Sequence, residues 1–118
     1  PLYDGGIQAE ETRKALALRS QAETSYEIAT ARIKEQTHEA ELKLALAVEG
    51  VTLAQRATEL AARGVVEATG AAGASQIPQF KLEEIKARRI EADLALLAAR
   101  TELVRWQSVM AQIAGVDP

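Results

Sequence analysis

His38 is the only histidine in the chain, and Glu35, Glu39 and Glu41 lie beside it in sequence. Glu35 and His38 stand three residues apart, the helical spacing at which a carboxylate and an imidazole can reach the same metal ion. No second His accompanies them and the chain has no cysteine, whereas a zinc site draws three or four ligands of these kinds. A solvated polar face is the better-supported reading. Nucleophilic catalysis fares no better. No Ser-His-Asp arrangement can be assembled from one histidine, and the thiol version has no Cys. Gly70-Ala71-Ala72-Gly73-Ala74-Ser75 contains two glycines and a serine, but it has neither the Lys nor the preceding strand that a phosphate loop needs. A tight turn between helices fits these residues better. The expectation is a protein that is not an enzyme, with no catalytic residue, bound metal or cofactor.

The elements that carry these residues are helices. The chain has 118 residues, 47% hydrophobic and 26% charged, with 3% aromatic. Its apolar content is dominated by alanine, the best helix former, while Phe and Trp occur once each. Alanine lets helix backbones approach closely but does not fill a thick core, so a thinly cored helical protein is expected. The net charge is −3 and the signs alternate along the sequence, so no basic face for nucleic acid is visible. No apolar run approaches the roughly 18–20 residues needed to span a bilayer.

No proline interrupts the sequence between Ile7 and Ile77, a stretch far longer than the usual helix of about 8–20 residues. The fold class read from this pattern is all-α: a long antiparallel helical hairpin, coiled-coil-like, with a turn over 1–6, a helix over 7–69, a tip loop over 70–78, a return helix over 79–115 and a tail over 116–118. At about 1.5 Å per residue the first helix would be on the order of 90 Å long. Its seam runs Tyr26, Ala29, Ile33, Thr37, Ala40, Leu44, Ala47, Val51, Ala54, Thr58, Ala61, Val65 and Ala68, in steps of three and four. The return helix has the cleaner heptad: Leu82, Ile85, Arg89, Ala92, Leu96, Ala99, Leu103, Trp106, Met110 and Ile113. Gly115 is expected to cap it.

Other apolar positions fall outside these seams, among them Leu42, Leu46, Leu53 and Leu60 on the first helix and Ile90, Leu94, Leu97 and Val104 on the second. A lone hairpin would leave part of this surface in water, and contiguous apolar patches usually mark a partner. Arg89 interrupts the second seam, either as half of an interhelical ion pair or as a side chain snorkelling from the edge of the stripe. Trp106 reads as packing. Gly50 and Gly64 each cost a helix about 1 kcal/mol relative to Ala, and mark either a close crossing or a bend, or a tolerated substitution.

The opening Pro1-Leu2-Tyr3-Asp4-Gly5-Gly6 resembles the segment at which a barrel strand turns into a long periplasmic helix in the TolC family of outer-membrane efflux ducts. Leu82-Glu83-Glu84-Ile85-Lys86-Ala87 resembles the start of that family's returning helix, and Ile113-Ala114-Gly115 resembles its end. The chain departs from the pattern at the tip, where Gly70 stands in place of an aromatic. It also has Lys86 where Asp is usual, and Pro78 ahead of the return helix.

The resemblance implies one periplasmic hairpin of a much larger chain, part of an α-helical barrel in a trimeric duct of the cell outer membrane. It makes Pro1, Gly5 and Gly6 the strand-exit turn. It makes Gly70, Ala71, Ala72, Gly73, Ala74 and Ser75 the tip that docks a periplasmic adaptor, with an inner-membrane pump completing the machine. The alternative is a hairpin of the adaptor itself (a membrane fusion protein), or another coiled-coil interaction scaffold. The opening hexapeptide favours the duct, since adaptors flank their hairpins with lipoyl-like strands.

Overall fold

A computed structural model of the chain describes residues 2–115, with side chains described from residue 6. Two α-helices make up the fold, α1 over Leu2–Gly73 and α2 over Gln79–Ile113, and no strand occurs among the described residues. The all-α hairpin expected from the sequence is what the chain forms. Contacts divide it into two units, Pro1–His38 and Glu39–Pro118.

Within the second unit α1 and α2 run antiparallel along the two seams. Leu44, Ala47, Val51, Ala54, Thr58, Ala61 and Val65 are half-buried, and Ala40 and Ala68 are buried. On α2, Leu82 is buried and every other seam residue from Ile85 to Ile113 is half-buried, with the single exception of Arg89. The heptad spacing therefore locates the interface nearly residue by residue. The core is thin. Among the described residues only Ala40, Ala68 and Leu82 are buried hydrophobics, and no polar side chain is buried.

In the first unit the seam loses its meaning. Tyr26, Ala29 and Ile33 are exposed, as are Ile7, Leu16, Leu18 and Ile28. A periodic apolar face is buried only where a second element lies against it. Regular hydrogen bonding continues regardless, supported by good helix formers and by an exposed Arg19–Glu23 pair one turn apart at 3.1 Å. Such pairs support an isolated helix by about 0.2–0.5 kcal/mol.

Both ends of α1 differ from the expected boundaries. Residues 2–6, expected as a turn, are the opening of α1; Pro1 and the tail over 116–118 lie outside the described residues. The carbonyls of these residues are paired along the helix, while the amides of its first turn have no partner within it. At the other end α1 continues through Gly70 to Gly73, past the expected stop at 69. Gly in a helix costs only about 1 kcal/mol, too little to end one alone. The last described residues of α2 behave as glycine chemistry dictates. The cap residue Ala114 retains a right-handed helical conformation, and Gly115 follows with φ 74°.

Candidate partner interface at the hairpin tip

The turn between the helices is narrower than the tip expected from glycine content, and a different residue makes it. Ala74 N–H donates to Gly70 O at 3.1 Å, Ser75 N–H to Ala72 O at 3.1 Å and Gln76 N–H to Ala71 O at 2.8 Å. The last two bonds are the paired six-to-one and five-to-two bonds of a Schellman motif. That motif needs a left-handed residue just past the helix, and the residue there is Ser75, with φ 61°. Glycine would take this conformation freely, while other residues pay about 1–2 kcal/mol for it. Gly70 and Gly73, which looked like the breakers, lie inside α1 instead.

Pro78 then opens α2. Its backbone is extended, with φ −71° and ψ 154°, and no side chain caps the helix. Its carbonyl accepts from Lys81 N–H at 3.0 Å and Leu82 N–H at 3.4 Å. Proline restricts the residue before it to extended conformations, so Pro78 supplies the stop that the glycines do not.

The six proposed tip residues do not share one environment. Gly70, Gly73, Ala74 and Ser75 are exposed, while Ala71 and Ala72 are half-buried. Ala71 shares an open groove of about 550 Å³ with Leu60, Gly64, Ala68, Ile77 and Ile85, with Arg88 and Glu67 at its edge. A docking partner would therefore meet Gly73, Ala74 and Ser75 from the end, and Ala71 only through the groove. Of the turn residues expected at the other end, Gly6 is helical and exposed, with open space where a side chain would project.

A second groove of about 270 Å³ lies further along the same pair of helices, lined by Lys43, Leu46, Ala47, Gly50, Ala99, Glu102 and Trp106. Trp106 is half-buried there, and its indole N–H donates to Glu102 Oε2 at 2.9 Å. The Arg105 guanidinium lies 5.4 Å from its ring centroid. This is the packing role expected of Trp106, with its one polar atom satisfied. Arg89 is exposed, in keeping with a side chain that leaves the seam for solvent.

His38 is exposed, and among the described residues no group of three or more His, Cys, Asp or Glu side chains is gathered to hold a metal ion. The row Leu46, Gly50, Leu53, Ala57, Leu60 and Gly64, whose two ends line the grooves, has the same three-and-four spacing as the buried seam, displaced by one residue. Sequence reasoning noted its leucines and glycines separately and missed the row they form.

Comparison of the chain with protein-family models, curated proteins and solved structures finds no match.

Proposed function

We propose that the chain is one helical hairpin of a TolC-like efflux duct, forming part of the tunnel wall and docking a periplasmic adaptor through Gly73, Ala74 and Ser75. The observation that carries this reading is the apolar surface the hairpin leaves uncovered. On the second unit, Leu46, Leu53 and Leu60 stand on one side of the helix pair, while Ile90, Leu94, Leu97 and Val104 form a separate row on α2. Exposed apolar rows on more than one side suit an element with neighbours on both flanks, as in the wall of a barrel. Small exposed residues at the tip suit close approach by another helix end. No described helix is long and apolar enough to cross a membrane, which accords with a wall element outside the bilayer.

The adaptor hairpin is the second reading. The helical course of residues 2–6 favours it, because a strand-exit turn there was the feature that set the duct apart. The test is an export assay in the source cell. Deleting the gene should raise accumulation of a fluorescent efflux substrate, the wild-type gene should reverse this, and Ala74→Arg should not. Unchanged accumulation after deletion would overturn both readings. A chain that fractionates with the inner membrane rather than the outer one would favour the adaptor.

A further inference from the structure

The groove side of the hairpin is complementary to itself. Along α1 it alternates large and small residues: Leu46, Gly50, Leu53, Ala57, Leu60, Gly64. The leucines project into solvent, between 56% and 64% exposed. Among the described residues nothing fills the notches at Gly50 and Gly64. A methyl group added at Gly50 would meet no atom within 4 Å, and one at Gly64 only the Ile85 side chain at 3.9 Å. Lys43 stands at one end of the row and Glu67 at the other, each on the rim of a groove. Among the described residues neither takes part in an ion pair.

We propose that two copies of this chain pair through this side, α1 against α1 and α2 against α2, each antiparallel. A two-fold axis level with Gln55 brings Leu46 of each copy opposite Gly64 of the other, Leu60 opposite Gly50 and Leu53 opposite Ala57. The same operation brings Lys43 opposite Glu67. A two-fold interface requires such reciprocity, with one surface fitting its own copy.

Evidence from α2 points to the same axis independently. Thr58 faces Ala92 across the hairpin, so Gln55 is level with Ala95. Rotation about an axis at Ala95 exchanges Arg88 with Glu102, the two charged residues that α2 contributes to the groove rims. Opposite charges therefore meet on both helices in a single register. Arg88 and Glu102 already have exposed partners on their own helix, Glu84 at 3.5 Å and Arg105 at 3.3 Å. Exposed pairs of that kind contribute little, so exchanging them is cheap.

The area is sufficient. The 35 residues of α2 give a face of about 50 Å by roughly 20 Å. That is on the order of 1,000 Å² per copy, against about 800 Å² for a standard interface. The α2 row of Ile90, Leu94, Leu97 and Val104 stays outside the pair.

This inference does not rest on the duct reading and competes with it for this side, since neighbouring hairpins of a duct would run parallel and present unlike faces to one another. An antiparallel pair would leave Leu46, Leu53 and Leu60 unavailable to a barrel wall. The chain has no cysteine, so single-cysteine variants report the geometry directly. Ala95→Cys should give a disulfide-linked dimer under mild oxidation, since the axis places Ala95 beside its own copy. Thr101→Cys, in the row outside the pair, should give little. Sedimentation equilibrium of the wild-type chain should give the dimer mass at high micromolar concentration. Lys43→Glu should weaken the dimer several-fold, and the double variant Lys43→Glu/Glu67→Lys should restore it. All four positions are exposed, so each variant should remain helical, which circular dichroism checks. A monomer or trimer, crosslinking at Thr101→Cys equal to that at Ala95→Cys, or failure of the double variant to restore pairing would overturn the proposal.

Discussion

The Thr58 hydroxyl on α1 donates to the carbonyl of Ala92 on α2 at 3.3 Å. Thr30, Thr37, Thr52, Thr69 and Thr101 instead each turn the hydroxyl back to a carbonyl four residues earlier on the same helix. Among the described residues only Thr58 spends its donor across the hairpin, and it does so from the seam. Thr58→Val keeps the shape and removes the donor. It should lower stability by about 0.5–1.5 kcal/mol, the net worth of one hydrogen bond, read as a lower thermal midpoint by circular dichroism. An unchanged midpoint would mean that this bond contributes nothing beyond water's own.

Leu82 and Phe80 stand two residues apart on α2 with opposite roles. Leu82 is 5% exposed and Phe80 72% exposed. Leu82→Ala should cost about 2–3 kcal/mol, the lower part of the range for buried leucines because a two-helix seam can partly collapse. Phe80→Ala should change stability by less than about 0.5 kcal/mol, as at other surface sites. Urea titration of both variants checks the contrast, and a larger loss at Phe80 would mean that the aromatic is covered in solution.

Ser75 holds φ at 61°, where a Cβ is strained. Ser75→Gly should raise stability by up to about 1 kcal/mol, a gain reduced by glycine's greater freedom in the unfolded chain. A rise in the denaturation midpoint supports the left-handed cap. A fall would place the turn elsewhere.

Gly64 faces Ile85 with room for a methyl group, at 3.9 Å. Gly64→Ala should stabilise the hairpin by about 1 kcal/mol through helix propensity alone. The same methyl enters the notch that Leu46 of a second copy would fill. Thermal melts at low and high protein concentration separate the two effects, with the gain largest where the chain is dilute.

The first unit lacks packing of its own. Its side chains from Gly6 to Ala29 are exposed, and an isolated helix gains little beyond propensity. Trypsin should cut first at Arg13, Lys14, Arg19, Arg32 or Lys34 and leave a resistant piece beginning near Glu39. Equal rates of cutting at Arg56 and Arg63 would show that the hairpin offers no more protection than the free helix.

Helical character was legible because it is local. Alanine content, the absence of proline and the steps of three and four act within a few residues of each other, and they placed the seam from Thr37 to Ala68 and from Leu82 to Ile113. Tip and opening were read less well. Gly70 and Gly73 carry the same local signal whether they end a helix or sit inside it, and the choice went to Ser75 and Pro78 through backbone hydrogen bonds that composition does not record. Residues 2–6 read as a turn only in the company of a strand.

The sequence by itself determined that this chain forms helices, that they break ahead of Pro78 and which residues share the seam by spacing, because each follows from backbone preference and periodicity. Only the tertiary structure decided which apolar residues are covered. Ile33 and Val51 occupy the same seam by spacing, yet Ile33 is exposed and Val51 half-buried. Burial depends on what lies opposite, and that is a property of two segments brought together, written in neither one alone.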